Sequence, residues 1–304
     1  MHAHPTRKAW HWPVTLLLNS IGFGLVTASV IAIGAVGLTL QFGITNFVNF
    51  AYGELLTLGA YVGYYCTVVL HLNLAVAILA AIVVTGALAV VLNEVIFTPF
   101  IKTKARLFIM LIVTIGVSLI LQNAYQIAFG TNFYRYNVTG NSSHSLGPFL
   151  LTTTQLLIIG LAVIALAGLQ GLLRYTRLGK SMRAMSDSAE LAEASGLNTR
   201  MITRTAWFLS GGLAGIGGVA LALNVYTVTP DLGNLFVFIL FAAVILGGIG
   251  KPVGAMLAAL IIGVAMEVSG AYINSAYKTA VAFAILIAVL LFRPSGLFAT
   301  KGKA

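Results

Sequence analysis

Apolar runs of close to 20 residues follow one another along almost the whole chain, and they restrict the possible folds more than any other feature. As a helix, a run of roughly 20 residues crosses the approximately 30 Å of membrane hydrocarbon, because each residue rises about 1.5 Å. Backbone groups in lipid must find hydrogen bonds within the segment, which favours helices. We therefore predict an all-α, polytopic bundle of about eight or nine transmembrane spans. The predicted spans are residues 14–40, 52–70, 74–97, 107–129, 155–173, 205–225, 236–246, 253–269 and 279–292.

The composition agrees with a membrane protein. Hydrophobic residues make up 59% of the 304 residues and charged residues 8%, with a mean hydropathy of +0.99. A soluble domain carries about three times more charge. Because no insert of soluble-domain size separates the apolar runs, we predict a tail over residues 1–13 and a single transmembrane domain over residues 14–304.

The distribution of basic residues predicts which loops face the cytoplasm. Thirteen of the 17 Lys and Arg residues lie in four segments, which are residues 99–106, residues 174–204, Lys251, and the stretch from Arg293 onward. Cytoplasmic loops are enriched in Lys and Arg, so these segments are expected inside and the loop 130–154 outside. The same pattern explains the net charge of +10 without a nucleic acid partner. The side of the N-terminus stays open, because a re-entrant turn near Asn46 would change the number of crossings.

The longest polar segment, residues 174–204, carries six of the basic residues and three of the seven acidic ones. Within it, Asp187 and Glu190 have the spacing of a capping box, and Gly196 stands where a glycine often ends a helix. We predict a short helix over residues 188–195 with a small, weakly apolar surface between charged flanks. Such a surface can dock into a groove of another protein. The alternative is a solvated loop that only joins two spans.

Two glycine-rich segments are too polar or too broken to be ordinary lipid-facing helices. Residues 40–61 contain Gly43, Gly53 and Gly59 among several polar side chains, and residues 245–263 contain five glycines and a proline. Opened backbone at membrane depth must be satisfied by protein or by a water-lined cavity, so both segments are expected to face inward. A pair of interrupted segments, one in each half, indicates a transport path between the halves. The alternative is that the glycines only allow close helix packing. The residues predicted to line the path are Asn46, Asn49, Tyr52, Glu54, Gly248 and Gly250.

Three acidic residues fall within predicted spans, where each costs on the order of 2.5 to 3.5 kcal/mol. Glu94 is expected to form an ion pair with the basic residues of the 99–106 loop. Glu267 lies near the outer end of its span, where position alone can explain it. Glu54 follows the other polar residues of its broken segment and either lines a polar path or holds the opened backbone together.

Motifs for catalysis or metal binding are lacking. The sequence has no G-x-x-x-x-G-K-[ST], H-E-x-x-H or G-x-S-x-G pattern, so we expect no ATP hydrolysis or other enzymatic activity from this chain, and no cofactor. The three histidines of the N-terminal tail, His2, His4 and His11, form only a weak metal-binding pattern. The single Cys66 excludes an internal disulfide.

Several segments, taken together, resemble the permease subunit of ATP-binding-cassette (ABC) importers for branched-chain amino acids. They cover nearly the whole chain and comprise residues 44–61, 174–199, 209–222, 242–263 and 290–298. The Asn-Phe-Ala-His-Gly-Glu stretch of that family reads Asn49 to Glu54 here, with Tyr52 in place of the histidine.

The resemblance implies a multi-pass permease of the bacterial inner membrane that works with a second related permease, two cytoplasmic ATP-binding subunits and an extracytoplasmic solute-binding protein. It also implies that the 188–196 helix is the coupling helix that contacts the ATPase. The residues expected at that contact are Asp187, Glu190, Glu193, Gly196 and Leu197. Two alternatives stay open at this point, namely an importer for urea or short amides and a self-sufficient proton-coupled transporter.

Overall fold

The computed structural model describes residues 12–103, 105–136, 142–146, 149–293 and 296–297. Helices account for most of these residues. They are α1 (Trp12–Thr45), α2 (Tyr52–Tyr64), α3 (Leu74–Leu92), α4 (Thr98–Lys102), α5 (Leu107–Phe129), α6 (Thr153–Tyr175), α7 (Arg177–Asp187), α8 (Ala189–Ala194), α9 (Thr199–Val225), α10 (Leu232–Gly247), α11 (Pro252–Tyr272) and α12 (Lys278–Phe292). The three tail histidines lie outside the described residues.

Short strands occur in the loops, so the prediction of an all-α chain was too simple. They are β1 (Tyr134–Arg135), β2 (Ser143–Leu146), β3 (Phe149–Thr152) and β4 (Thr227–Val228). β2 and β3 form an antiparallel hairpin, and β1 pairs with β4 from a distant part of the chain. This second pairing depends on tertiary contact, which a local sequence pattern does not show.

Seven helical segments among the described residues are long and apolar enough to cross a membrane. They are Thr15–Thr45, Leu74–Lys102, Leu107–Phe129, Thr153–Tyr175, Thr199–Val225, Pro252–Tyr272 and Ser275–Phe292. The protein is therefore a mostly helical, multi-pass membrane protein. α10 is also apolar but has only 16 residues. Seven of the nine predicted spans correspond to these segments, whereas the predicted spans 52–70 and 236–246 correspond to α2 and α10, which have only 13 and 16 residues. α9 begins six residues before its predicted span, because its N-cap is the polar residue Asn198.

The core of the bundle is formed by α1, α2 and α9. α2 is buried along almost its whole length and packs against α3, α9 and α10. At its crossing with α9, Gly218 meets the carbonyl group of Leu56 so closely that a Cβ atom would not fit. α5, α6 and α12 lie at the periphery, since most of their surface is exposed. Glycine is thus what allows α2 to reach the centre of the bundle.

The two ends of the bundle differ in their loops. α1 starts beside the β2–β3 hairpin, where the Leu150 backbone N–H donates to the Asn19 side chain at 3.3 Å, and it ends beside α7. We call these the hairpin end and the basic end. The turn between α10 and α11 also lies at the basic end, because Gly250 lines a cavity there with residues of α1 and α7. The backbone N–H of Leu297 donates to the carbonyl oxygen of Leu246 at 2.8 Å, which brings the C-terminal segment to the same end.

Candidate functional site

The polar segment at the basic end is held by a capped turn after α6. The hydroxyl of Thr176 accepts a hydrogen bond from the backbone N–H of Gly179 at 3.0 Å and donates to the carbonyl oxygen of Leu172 at 2.7 Å. This Thr176 cap starts α7, which buries Met182 and Met185 and leaves Arg177 exposed. α7 is therefore an amphipathic helix anchored on the end of the membrane bundle.

A short helix follows α7 at the predicted place, over Ala189–Ala194. Its N-cap is Ser188, whose hydroxyl accepts from the Leu191 N–H at 3.3 Å, and not Asp187, which is the last residue of α7. The predicted capping residue was therefore wrong by one position, because the chain changes direction at Ser188, where the backbone is extended.

Gly196 ends this short helix in the way the sequence indicates. Its φ is +80°, in the left-handed region, and its N–H donates to the Glu193 carbonyl oxygen at 2.9 Å. The Leu197 N–H reaches back to the Ala192 carbonyl oxygen at 3.1 Å. These two bonds satisfy carbonyl groups that a helix end otherwise leaves free. A residue with a Cβ atom would be strained at this position.

The α8 segment presents most of its side chains outward. The predicted contact residues Asp187, Glu190, Glu193 and Gly196 are exposed, and Leu197 is half-buried. Leu191 is 70% exposed, whereas Ala192 is buried against the bundle. All five predicted contact residues therefore lie on one short and mostly exposed segment, in which the exposed Leu191 has acidic residues on either side in the sequence.

An ion-pair cluster ties the start of α9 to the helical turn that directly follows α3, residues 93–97. The two carboxylate oxygens of Glu94 form ion pairs with Arg200 Nη2 at 2.9 Å and with Arg204 Nε at 2.5 Å. The expectation of an ion pair is confirmed, but the partners found among the described residues belong to α9 and not to the 99–106 loop. Arg200 and Arg204 are four residues apart and share one face of α9, so both reach the same carboxylate. That spacing was the available signal in the sequence.

The first predicted break lies between α1 and α2. Asn46 is exposed and has a φ of +56°, which ends α1. The side chain of Asn49 is buried, where it accepts from the Ala51 N–H at 3.0 Å and donates to the Gln41 side chain at 3.1 Å. Asn49 therefore satisfies the backbone that the break opens.

Tyr52 and Glu54 begin α2 and are completely buried. The Tyr52 hydroxyl donates to the carbonyl oxygen of Ser210 in α9 at 3.4 Å. A carboxylate oxygen of Glu54 accepts from the Ser118 hydroxyl of α5 at 3.0 Å. The Tyr125 hydroxyl also donates to the Glu54 backbone carbonyl at 3.2 Å. These contacts join α2 to α9 and to α5. The sequence analysis missed Ser118 and Tyr125, because nothing in their local sequence indicates that they contact Glu54.

The second predicted break separates α10 from α11. Gly248 and Gly250 both have positive φ, and the Lys251 N–H donates to the Gly248 carbonyl oxygen at 3.1 Å, which closes a tight turn. Gly248 is buried, whereas Gly250 is partly exposed and borders a cavity. The two breaks therefore lie at the same end of the bundle, and of the path residues predicted in this turn only Gly250 lines the cavity.

Glu267 lies at the hairpin end and forms a second ion pair. Its carboxylate pairs with the Lys278 ammonium group at 2.7 Å and accepts a hydrogen bond from the Thr27 hydroxyl at 2.9 Å. These contacts link α11 to α1 and to the start of α12. No group of three or more His, Cys, Asp or Glu side chains suitable for a metal ion occurs within the described part of the chain. Glu54, Glu94 and Glu267 thus each contact at least one polar or basic side chain of the protein.

The geometry above defines a multi-pass helical membrane protein with a short polar helix at one end of its bundle. The sequence matches the family described as "Branched-chain amino acid transport system / permease component" over residues 20–290. The chain therefore belongs to this family.

Individual relatives agree with the family match. The high-affinity branched-chain amino acid transport system permease protein LivH of Salmonella typhimurium is 32% identical and covers 90% of this chain and 92% of its own. The corresponding protein BraD of Pseudomonas aeruginosa is 32% identical, with 92% and 95% covered. A probable LivH of Methanocaldococcus jannaschii is 30% identical, with 95% and 97% covered.

Proposed function

We propose that this protein is the transmembrane permease subunit of an ABC importer and forms the translocation path for branched-chain amino acids. The observation that carries the proposal is the identity of 30% or more to permeases named for this transport, over 90% or more of both chains. The relatives do not favour urea, short amides or proton-coupled transport as the alternative. We place the protein in the bacterial inner membrane.

Its partners are two cytoplasmic ATP-binding subunits, a second related permease and an extracytoplasmic solute-binding protein. ATP hydrolysis takes place in the ATP-binding subunits, since this sequence has no nucleotide-binding motif. α8 is the coupling helix. The outward position of Glu190 and Leu191 supports this role, because an exposed leucine between charged side chains suits a groove of another protein.

The chain crosses the membrane nine times, with the N-terminus outside and the C-terminus inside. The crossings are α1, α2, α3, α5, α6, α9, α10, α11 and α12. Contacts between α1 and β3 at one end and between α1 and α7 at the other support this arrangement. The abundance of basic residues in the 174–204 segment supports a cytoplasmic basic end. The two glycine-rich segments are then broken turns between crossings.

The transport path runs past the two breaks and next to α2. Asn46 and Gly250 border it directly, since both are accessible at the basic end. The other four predicted path residues are buried and support the wall of the path without bordering it. They are Asn49, Tyr52 and Glu54, whose side chains are hydrogen-bonded within the protein, and Gly248. These residues fix the position of α2 relative to its neighbours.

ATP-driven closure of the ATPase subunits moves α8, and the bundle carries that motion inward. α8 leads into α9 through residues 195–198, and the Glu94 ion pairs connect the start of α9 to the turn that directly follows α3. Both α3 and α9 pack against α2. A displacement of α8 therefore reaches the centre of the bundle through rigid helices, and one permease rocks against the other.

Charge reversal at the coupling helix tests the proposed partner. Glu190→Lys is expected to reduce co-purification of the ATP-binding subunit at least about tenfold, because a charge pair lost from an interface commonly costs more than 1.4 kcal/mol. Membrane insertion and monodispersity should not change, since Glu190 is exposed. Unchanged co-purification would contradict the assignment of α8.

Gly196 provides a matched pair of variants for the same contact. Gly196→Val should distort α8 because of its positive φ, whereas Gly196→Asn should keep the conformation, since asparagine tolerates the left-handed region. ATPase co-purification and leucine uptake should fall for valine only. Loss with both variants would indicate that the partner needs the bare glycine surface itself.

The Glu54 side chain can be tested in the same uptake assay. Glu54→Gln keeps an acceptor for the Ser118 hydroxyl, so uptake should remain, whereas Glu54→Leu leaves that buried hydroxyl without its partner and should abolish uptake. Loss of uptake with glutamine as well, in a well-folded protein, would show that the path needs the carboxylate charge.

A further inference from the structure

A cavity of about 500 Å³ opens at the basic end. It lies between the end of α1, the end of α6, the inner side of α7 and the start of α11. Its apolar lining includes Leu40, Ile44 and Met182. The predicted path residue Gly250 occupies one border, but the remaining lining residues were not assigned to any function by the sequence.

Three basic side chains line this cavity, and no acidic residue is found among its described lining. They are Arg174, Arg183 and Lys251. Gln170 and Ser186 add hydrogen-bonding groups. The two arginines suit an anion, because the planar fork of their guanidinium groups is matched to phosphate oxygens in particular.

The residues beside the cavity are typical of a membrane–water interface. Arg174 is at the last turn of α6, where its guanidinium lies 5.6 Å from the centre of the Tyr175 ring. Tyr175 is 76% exposed, and exposed tyrosines are typical of the membrane–water interface. α7 then runs as an amphipathic helix with Arg177 and Lys180 exposed. Basic pockets between helices on the cytoplasmic side are suited to anionic lipid headgroups.

We propose that this cavity binds the phosphate headgroup of an anionic phospholipid of the cytoplasmic leaflet. Arg174, Arg183 and Lys251 hold the phosphate, and the first methylene groups of the lipid lie on Leu40 and Ile44. An amino acid cargo fits less well, because its ammonium group would meet three cations and no carboxylate. The proposal rests on the cytoplasmic position of the basic end, which is part of the proposed function.

A bound lipid at this place would connect three separate elements of the chain. Arg174 belongs to α6, Arg183 to α7, and Lys251 to the start of α11. One phosphate shared among them would fix α7, and with it α8, relative to the α10–α11 turn. The lipid is therefore a structural ligand of the coupling segment.

Lipid retention by the purified full-length chain tests the proposal. The protein is placed in dioleoylphosphatidylcholine nanodiscs with increasing dioleoylphosphatidylglycerol, and the number of phosphatidylglycerol molecules retained is counted by native mass spectrometry. The variant Arg174→Gln with Arg183→Gln should bind about 25-fold more weakly, at roughly fivefold for each charge removed near an anionic lipid.

The control carries the same charge change on the same segment but outside the cavity. Arg177→Gln with Lys180→Gln removes two exposed cations of α7 that do not line the cavity. This control should change retention by less than twofold. Equal loss in both double variants would show only general attraction to the anionic surface and would overturn the proposal. Size-exclusion profiles of both variants identify any loss of folding.

Two further probes separate the possible sources of the anion. Inorganic phosphate at millimolar concentration should not displace phosphatidylglycerol, and dihexanoylphosphatidylglycerol should compete more weakly than the long-chain lipid. Displacement by inorganic phosphate would mean a simple anion site, and displacement on adding the ATP-binding subunit would mean a protein occupant. Either result would overturn the lipid assignment but leave the transport function in place, because none of these measurements uses uptake.

Discussion

The crossing of α2 and α9 is expected to tolerate no methyl group at Gly218. In Gly218→Ala the new Cβ would meet the backbone carbonyl oxygen of Leu56, which cannot rotate away, so the helices must separate by roughly 1 Å. A gap of about 0.5–1 Å already loses a quarter to a half of the dispersion energy of each atom pair across it. Overpacking of this kind costs about 1–3 kcal/mol.

Gly217 is a control on the same helix. A Cβ at Gly217 would find its nearest neighbour at 3.6 Å, which is an ordinary contact. Replacing glycine by alanine inside a helix gains up to about 1 kcal/mol in helix propensity, and this gain is shared by both variants. The difference in unfolding free energy between Gly217→Ala and Gly218→Ala should therefore be about 1–3 kcal/mol, and it comes from the crossing alone.

Thermal unfolding of the detergent-purified chain, followed by intrinsic fluorescence, measures this difference. Gly217→Ala should melt at or above the wild-type temperature, and Gly218→Ala at least about 2 °C below Gly217→Ala. Because α2 would also be displaced, uptake should fall for Gly218→Ala only. Identical melting of the two variants would refute the close crossing of α2 and α9.

Three further results are expected. Glu94→Gln should lower stability by no more than about 1 kcal/mol, and the difference should shrink in high salt, because its partners Arg200 and Arg204 are 71% and 47% exposed. Lys278→Met alone should destabilise the protein more than Lys278→Met combined with Glu267→Gln, since the single change leaves the partly buried Glu267 carboxylate without its ion-pair partner. Equal melting temperatures of the two variants would exclude energetic coupling between Lys278 and Glu267. Thr176→Val should lower the stability of the start of α7 by about 1 kcal/mol, because the N-cap hydrogen bond is lost, and backbone hydrogen exchange there should become faster. Thr176→Ser keeps the hydroxyl and should leave hydrogen exchange unchanged.

Local signals in the sequence predicted much of the fold. Apolar runs identified the seven segments that are long and apolar enough to cross a membrane, because the thickness of a membrane imposes one length on each of them. Gly196 and the helix formers before it predicted α8, since a helix end is decided by a few adjacent residues. The asparagine and glycine residues near Asn46 and Gly248 likewise predicted where the helices break, because a positive φ at a single residue is enough to end a helix.

Partners distant in sequence could not be predicted in this way. Glu94 pairs with Arg200 and Arg204, more than 100 residues further along the chain, because α3 packs against α9. The burial of Glu54 against Ser118, and the pairing of β1 with β4, depend equally on which helices are neighbours.

The sequence by itself determined that this is a multi-pass membrane protein with a short polar helix, because hydropathy and capping act over a few turns of chain. Only the tertiary structure decided which side chains contact the acidic residues and which of the predicted path residues are exposed. It also brought the three cations of the basic end around one cavity. A charge in the low-dielectric interior of a bundle must be stabilised by a neighbouring polar or charged group, and the packing of the whole fold determines which group that is.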